Sequence, residues 1–461
     1  MTQVEENRTG VAHVPTVRNA DFQDLLATLN EQQARKIDMV VPASKVKFVD
    51  GMLVIAGQEM ILDDDGFSDP NGLYHPTQLF DDQLAERLDI APGYLRRLRH
   101  GRINKAEKMT SPSRLDLWDQ NANGLLGGRK PKIGYQMVDG VREQVTLREP
   151  VPADPRSFFI RLFHPENGIG VARAMLSNKF ARLDHIDGLM AMLKGITDAG
   201  IDPDTLRIYG DLSETKMFVH VAAPEILTAA PALLDGYRSP FDTESEQTKR
   251  RGTTLSMDER IRLGAEFRER GHGDGNHSGF YEPGNEPIVH AGFLLSNSEV
   301  GSGRWQIMPE ITVLRCSNGL TLTKDGFARN HVGARMEDGL LEWSEDTQGK
   351  ELGLVTAQTR DVVKAVLSTD YLERKVDELE RKAGKVVAEP EKTIEVVAKK
   401  LSFSREEQDG ILRHFFLGGQ LTAGGVMQAV TSYSQTMGNA DAAHDLNVRA
   451  IEAMDLAYAS N

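Results

Sequence analysis

The stretch HAGFLLSNSEVGSGRWQIMPEITVLRCSNGLTLTKDGFARNHVG, residues 290–333, constrains the fold of this chain more than any other. Three apolar, partly alternating runs, 292–296, 305–316 and 320–323, are separated by corners rich in Asn, Ser and Gly. Alternation at a period of two gives a strand one buried and one wetter face, and Asn and Gly accept the left-handed backbone of tight corners. The segment therefore predicts an antiparallel meander. Its corners carry Asn297, Ser298, Glu299, Arg304, Arg315, Asn318 and His331, side chains more specialised than a solvated turn requires. Two accounts compete. In one, Asn297, Glu299, Asn318 and His331 form a polar site, with His331 and Glu299 as an acid/base pair. In the other they are scaffold: Asn318-Gly319 makes a turn and Arg315 pairs with Glu299 inside the fold.

The segments before the meander share its character. SFFIRLFH and GVARAMLSN read as strands, and residues 187–199 as a helix with Leu189, Met190, Leu193 and Ile196 on one side. TLRIYGDL and KMFVHVAA then read as a strand pair turning near 213–215. Strand, strand, helix, strand, strand points to an α+β fold with an antiparallel sheet rather than a wound parallel one. No G-x-G-x-x-G or G-x-x-x-x-G-K-[ST] sequence follows a strand, so a dinucleotide or P-loop site has no support.

Upstream, residues 1–20 are polar and read as a tail, and 21–41 carry a helical pattern through Phe22, Leu25, Leu26 and Leu29. KVKFVDGMLVIAGQ is two alternating runs about Asp50-Gly51, a strong hairpin signal. Asp63, Asp64 and Asp65 read as a solvated turn rather than a cation site, because they lack ligands at fixed offsets. From 124 to 155 glycines and prolines suggest an exposed connection or irregular hairpin, with a boundary near 153. Residues 238–287 form a charged insertion. Its GHGDGNHSG segment holds His272, Asp274 and His277, metal-ligand types in a Gly-rich context that favours a surface loop. Beyond 351 the chain reads as a helical bundle. Val362, Val366, Tyr371, Leu372, Val376 and Leu379 trace a stripe over 361–382, and Ser404 with Glu407 matches a capping box before a helix ending at Gly418. Helices over 422–437 and 441–459 complete it. The regions expected are 1–20, 21–153 with a helix pair at 77–102, 154–350 with the insertion, and 351–461.

The helix pair, FDDQLAERLDIAPGYLRRLRHGR, has the spacing of a helix-turn-helix, with Leu84, Leu88, Ile90, Leu95 and Leu98 facing inward. Arg96, Arg97, Arg99, His100, Arg102, Lys105 and Lys108 stand against only Glu107. Asp89 takes the turn position usually given to glycine, and Pro92 and Gly93 stand where base-reading side chains would begin. Three readings compete: a two-helix corner whose basic face is simply solvated, phosphate contact without base reading, and sequence readout in a major groove.

Totals set limits. The 461 residues exceed one ordinary core, and 40% hydrophobic with 26% charged content is that of a globular protein. A net charge of −14 argues against a chain coated in nucleic acid while leaving room for a local basic face. No apolar run approaches the length of a membrane span, and MTQVEENRTG lacks the pattern of a secretion signal. Cys316 is the only cysteine, which excludes an intrachain disulfide and a multi-cysteine zinc site, suits a reducing cytoplasm, and fits a small buried hydrophobe. No G-x-S-x-G or H-E-x-x-H pattern is present, so no catalytic residue, cofactor or metal is assigned.

NSEVGSGRWQIMPEITVLRCSNGL, followed by NHVG, resembles the core signature of the phage/plasmid-like domain-of-unknown-function 932 family. The matching positions are Asn297, Ser298, Gly301, Arg315, Cys316, Asn318, Gly319, His331 and Gly333. LSNKFARLDHIDGL, GVMQAVTSYSQ and LAERLDIAPGYLRRL are similar to other family segments, extending the likeness over about residues 75–455. The resemblance implies a phage, plasmid or integrated-element setting, work on replication, recombination or host defence, and no settled activity. Together these readings predict a cytoplasmic protein, homo-oligomeric, that binds nucleic acid without covalent chemistry, single-stranded DNA binding or annealing being the concrete form. Arg96, Arg97, Arg99, Arg102, Lys105, Arg304 and Arg315 are the expected contacts, and no membrane is involved. An enzyme with a small-molecule or phosphodiester site at the 297–331 corners, and an assembly or inhibitor protein acting through its helical tail, are the alternatives.

Overall fold

A computed structural model describes residues 13–55, 72–104, 109–138, 141–164, 169–234, 237, 288–313, 319–322, 325–329, 339–340 and 345–460. In chain order the strands are β1 (Val17–Asp21), β2 (Lys36–Pro42), β3 (Val46–Val49), β4 (Met52–Ile55), β5 (Leu73–Pro76), β6 (Arg102–Asn104), β7 (Met109–Ser111), β8 (Lys132–Val138) and β9 (Val141–Arg148). They continue as β10 (Ser157–Phe163), β11 (Gly170–Ser177), β12 (Arg207–Leu212), β13 (Met217–Ala229), β14 (Ile288–Asn297), β15 (Trp305–Val313), β16 (Gly319–Thr321), β17 (Phe327–Arg329) and β18 (Gly339–Leu340). The helices are α1 (Phe22–Ala34), α2 (Gln78–Arg87), α3 (Pro92–His100), α4 (Leu115–Leu126), α5 (His185–Asp198), α6 (Pro231–Leu234) and α7 (Glu345–Val366). The tail adds α8 (Thr369–Ala383), α9 (Pro390–Lys400), α10 (Arg405–Gly418), α11 (Ala423–Ser434), α12 (Ala440–Asn447) and α13 (Ala450–Ser460).

The fold is α+β. The meander forms as β14, β15 and β16, all antiparallel, within a sheet ordered β1-β12-β13-β14-β15-β16, with β17 also on β15. The strand pair about 213–215 is β12 and β13, joined to β14 along Met217–Ala229. β14 is buried at every position, because both faces of the sheet are covered. On one face Met217, Val219, Val221, Phe293, Leu295 and Ile307 join the main core with α5, α7 and the tail helices; on the other Phe218, Leu294 and Met308 meet Ala440 of α12.

A second sheet, ordered β18-β2-β10-β11-β5-β4-β3, has its own core. Here two expectations change, and in the first sheet a third does, because residues 17–20 of the expected tail belong to β1, which pairs with β12. The helical pattern of 21–41 stops at Ala34, and Lys36–Pro42 is β2, a central strand. Its Met-Val-Val run can serve either period, and pairing with β10 along its whole length decides for the strand. The boundary near 153 likewise falls inside one unit, since β2 precedes it, β10 follows it, and the two are hydrogen-bonded neighbours.

Local signals elsewhere hold. Asp50 and Gly51 have φ of 50° and 75°, the backbone that a two-residue hairpin needs between β3 and β4. Ser404 and Glu407 close a capping box at α10, and Gly419, one residue past the expected stop, takes the left-handed C-cap. The stripe of 361–382 is split between α7 and α8 because Ser368 accepts from the Tyr371 amide and starts a new helix. The expected 441–459 helix is similarly two, α12 and α13. Among the described residues, no helix is long and apolar enough to cross a membrane.

Candidate functional site

The Asn-Ser-Glu-Val-Gly corner after β14 is where the two sheets are fastened together. Asn297 donates to Leu183 O at 3.0 Å, and Ser298 Oγ donates to Thr215 O at 2.8 Å while accepting from Ser302 N at 2.9 Å. Val300 enters a small core with Val40, Phe159, Ala174 and Leu176 of the second sheet. Gly301 has φ 77°, and a Cβ there would meet Leu176 Cδ2 at 2.5 Å, so glycine is required twice over.

Glu299 lies at the centre of a buried ionic network. Its carboxylate takes Arg173 Nη1 and lies 3.8 Å from Arg161 Nη1, and its backbone oxygen accepts from that same nitrogen at 2.7 Å. Arg161, on β10, also grips Asp38 of β2, with Nε–Oδ1 at 2.8 Å, and Asp184 ahead of α5. Lys36 adds a second cation to Asp184. Burial disfavours charge on Glu299, but the cations Arg173, Arg161 and Lys36 outweigh it and hold the carboxyl well below the usual range. Burial and the same opposition place Asp184 at about 2, through Arg161 and Lys36, whereas burial dominates at His185 and lowers it to about 4. The network is ionised, with a neutral imidazole beside it. No solute reaches Glu299, which is 3% exposed, or Asn297, at 1%. The described half of the expected polar site is closed scaffold, and Glu299 is matched by Arg173 and Arg161. Arg315, Cys316, Asn318 and His331 lie outside the described residues, as do Asp63–Asp65, His272, Asp274 and His277.

The network's other members carry a sequence signal that passes unread in the strand assignment. Arg161 and Arg173 are single charges inside the apolar runs SFFIRLF and GVARAMLS, and Asp38 stands with Lys36 in KIDMVVP. A charge in a doubly buried strand must find a counter-charge. The partner's identity is not written locally.

The helix pair forms α2 and α3 as spaced, with Asp89 in the left-handed turn at φ 55°. Leu84, Leu95 and Leu98 are buried against the second sheet, and Pro92 stands in the first turn of α3. The arginines then divide. Arg96 and Arg97 point outward; Arg96 Nε lies 3.2 Å from the Asp82 carboxylate and Arg97 Nε donates to Gly93 O. Arg99 turns inward onto the buried Asp81 carboxylate, donates to Gly51 O at 3.0 Å, and lies 4.5 Å over the Trp118 ring. Burial pushes Asp81 up to about 6 against the pull of Arg99. Arg99 therefore belongs to the fold rather than to the exposed basic face. His100 is exposed beside Arg96 and Arg97. Arg102 starts β6, Arg304 is exposed at the end of the fastening corner, and Lys105 lies outside the described residues. Gln83 of α2 ties the pair to that corner, donating to Val300 O and accepting from Met175 N, both at 2.8 Å.

A polar cavity of about 40 Å3 opens between the first sheet and the tail, lined among others by Arg18, Tyr209, His220, His444 and Asn447. His220 Nδ1 lies 2.9 Å from the buried Glu310 carboxylate and its ring stacks on Tyr209 at 4.8 Å. The Glu310 carboxylate at Nδ1 fixes the ring at the edge of this cavity. Sequence reading missed this pair, although His220 stands in the apolar run MFVHVAA of β13 and Glu310 between apolar residues of β15.

Comparison of the chain with known protein families, curated proteins and solved structures found no match.

Proposed function

We propose that this chain binds nucleic acid without covalent chemistry, in the host cytoplasm, for a phage or other mobile element of the kind its central signature resembles. Single-stranded DNA binding or annealing is the form the reading takes, with a homo-oligomer as the working unit. The observation that carries it is the sidedness of α3: Leu95 and Leu98 are buried, Arg99 is anchored to Asp81, and Arg96, Arg97 and His100 face solvent on a helix without a carboxylate. An anchored helix presenting two guanidinium groups positions phosphates without reading bases, and Pro92 and Gly93 at its start agree with that division.

Fluorescence polarisation on a labelled oligothymidylate, from low to moderate salt, tests the proposal. Affinity is expected to fall steeply with salt, and Arg96→Ala with Arg97→Ala to flatten the log–log slope by about 1.4. Affinity indifferent to salt, or a double variant that binds like the parent, sinks the reading. Arg99 is left intact in this test, because its loss would disturb folding.

A further inference from the structure

We infer that the β8–β9 hairpin is an arm on which the bases of single-stranded nucleic acid stack; the inference rests on the function proposed above and names the element that meets the bases. Among the described residues these two strands pair only with each other. Their register sets Ile133 opposite Thr146, Tyr135 opposite Gln144 and Met137 opposite Arg142. Residues directly opposite share a face, so one face of the ribbon reads Ile133, Tyr135, Met137, Arg142, Gln144 and Thr146. That face has no carboxylate. Its apolar members are 49%, 60% and 64% exposed for Ile133, Tyr135 and Met137. A two-stranded ribbon gains little stability by itself, and a run of bare apolar side chains on it marks a contact surface.

Charge and geometry choose the occupant. Across 129–149 stand five cations, Arg129, Lys130, Lys132, Arg142 and Arg148, against Asp139, Glu143 and Glu149, in a chain of net charge −14. Arg142 lies 4.2 Å over the Tyr135 ring and is itself exposed, so the outer layer of the face is a flat cation on an aromatic ring. Guanidinium and phenol planes take a nucleobase of any identity, with a phosphate at the cation's edge. A second copy docking the same face about a twofold axis would instead set two cation-bearing faces without a carboxylate against each other. The ribbon's base is held by the Arg129–Val151 bridge and by Arg129 Nη2 donating to Gln120 O of α4 at 2.9 Å. One residue on, Asn121 donates to Tyr94 Oη of α3 at 3.2 Å. The arm and the basic helix thus spring from one support, and a strand held by phosphates at α3 has bases to place at the arm.

The test uses the full chain, a labelled oligothymidylate of about 20 nucleotides, and an abasic strand of equal length. Tyr135→Ala is expected to weaken oligothymidylate binding roughly 10-fold with the salt slope unchanged, and Tyr135→Phe to restore it. The parent is expected to bind the abasic strand about as weakly as Tyr135→Ala binds thymidylate. If Tyr135→Ala binds like the parent while Arg96→Ala/Arg97→Ala does not, the arm is refuted and the function proposed above stands. If the parent binds no DNA, both fall. If Tyr135→Ala leaves DNA binding intact but lowers the mass seen by light scattering, the face joins copies of this chain and the inference is overturned.

Discussion

Arg99 sits with its guanidinium on the Asp81 carboxylate and over the Trp118 ring, so its removal leaves a buried carboxylate without its counter-charge. Arg99→Ala is expected to cost about 3–5 kcal/mol, the usual penalty for breaking a buried pair. Arg99→Met combined with Asp81→Leu should cost much less, because it removes both charges and fills the same space. Urea denaturation of the two variants checks this, and equal losses would show that packing on Trp118, not charge, is what Arg99 supplies. Arg96→Ala stands at the other extreme: an exposed pair with Asp82 contributes at most about 1 kcal/mol. Two arginines three positions apart thus differ in kind. Composition lists both as basic, and only burial separates them.

At the scale of the element, the α2–α3 corner carries one local conflict. Asp89 holds φ 55° at the position where such turns favour glycine. Asp89→Gly should relieve about 1–2 kcal/mol of backbone strain and lose up to about 1 in unfolded-chain entropy. A modest rise in thermal midpoint is the expected result, and a fall would show that the Asp89 side chain supports the turn. Elements of this kind were the most legible in the sequence. The Asp50-Gly51 hairpin, the Ser404–Glu407 capping box and the meander all rest on contacts between residues close in the chain. β2 is not legible locally for the converse reason, since its strand character comes from β10, more than a hundred residues away.

Across the whole molecule, buried titratable groups set the response to acid. Burial lowers His185 to about 4, His290 to about 4 and His444 to about 3, from an ordinary 6.5. Below pH 6.5 the unfolded chain binds protons at these sites that the folded chain refuses, so stability falls as pH drops. Between pH 6.5 and 5 each imidazole is worth about 2 kcal/mol. Asp81 works in the opposite direction. Its folded value, about 6, exceeds the unfolded one, so in the same window it adds about 1 kcal/mol as pH falls, and the raised Asp119, Asp187 and Glu380 side with it. The imidazoles win. Below about pH 4.5 Glu299 and Asp184 add to the loss, because their depressed values make stability that vanishes on protonation. The urea midpoint is expected to fall from pH 7 to pH 5, and His444→Asn to fall less. Parallel pH profiles for parent and variant would remove His444 from this account.

The sequence by itself determined the antiparallel meander, the helix pair, the helical tail and the positions where polar residues interrupt apolar strands. Each follows from periodicity or from turn and cap chemistry, which act over a few residues. Only the tertiary structure decided what those polar residues do. It brought Asp38, Arg161, Arg173, Asp184 and Glu299 from five separate segments into one closed network, turned Arg99 inward, and left the hairpin face of Tyr135 and Arg142 bare. Counter-charge and burial are properties of what lies opposite in space, and in this chain the opposite residue is often more than a hundred positions away.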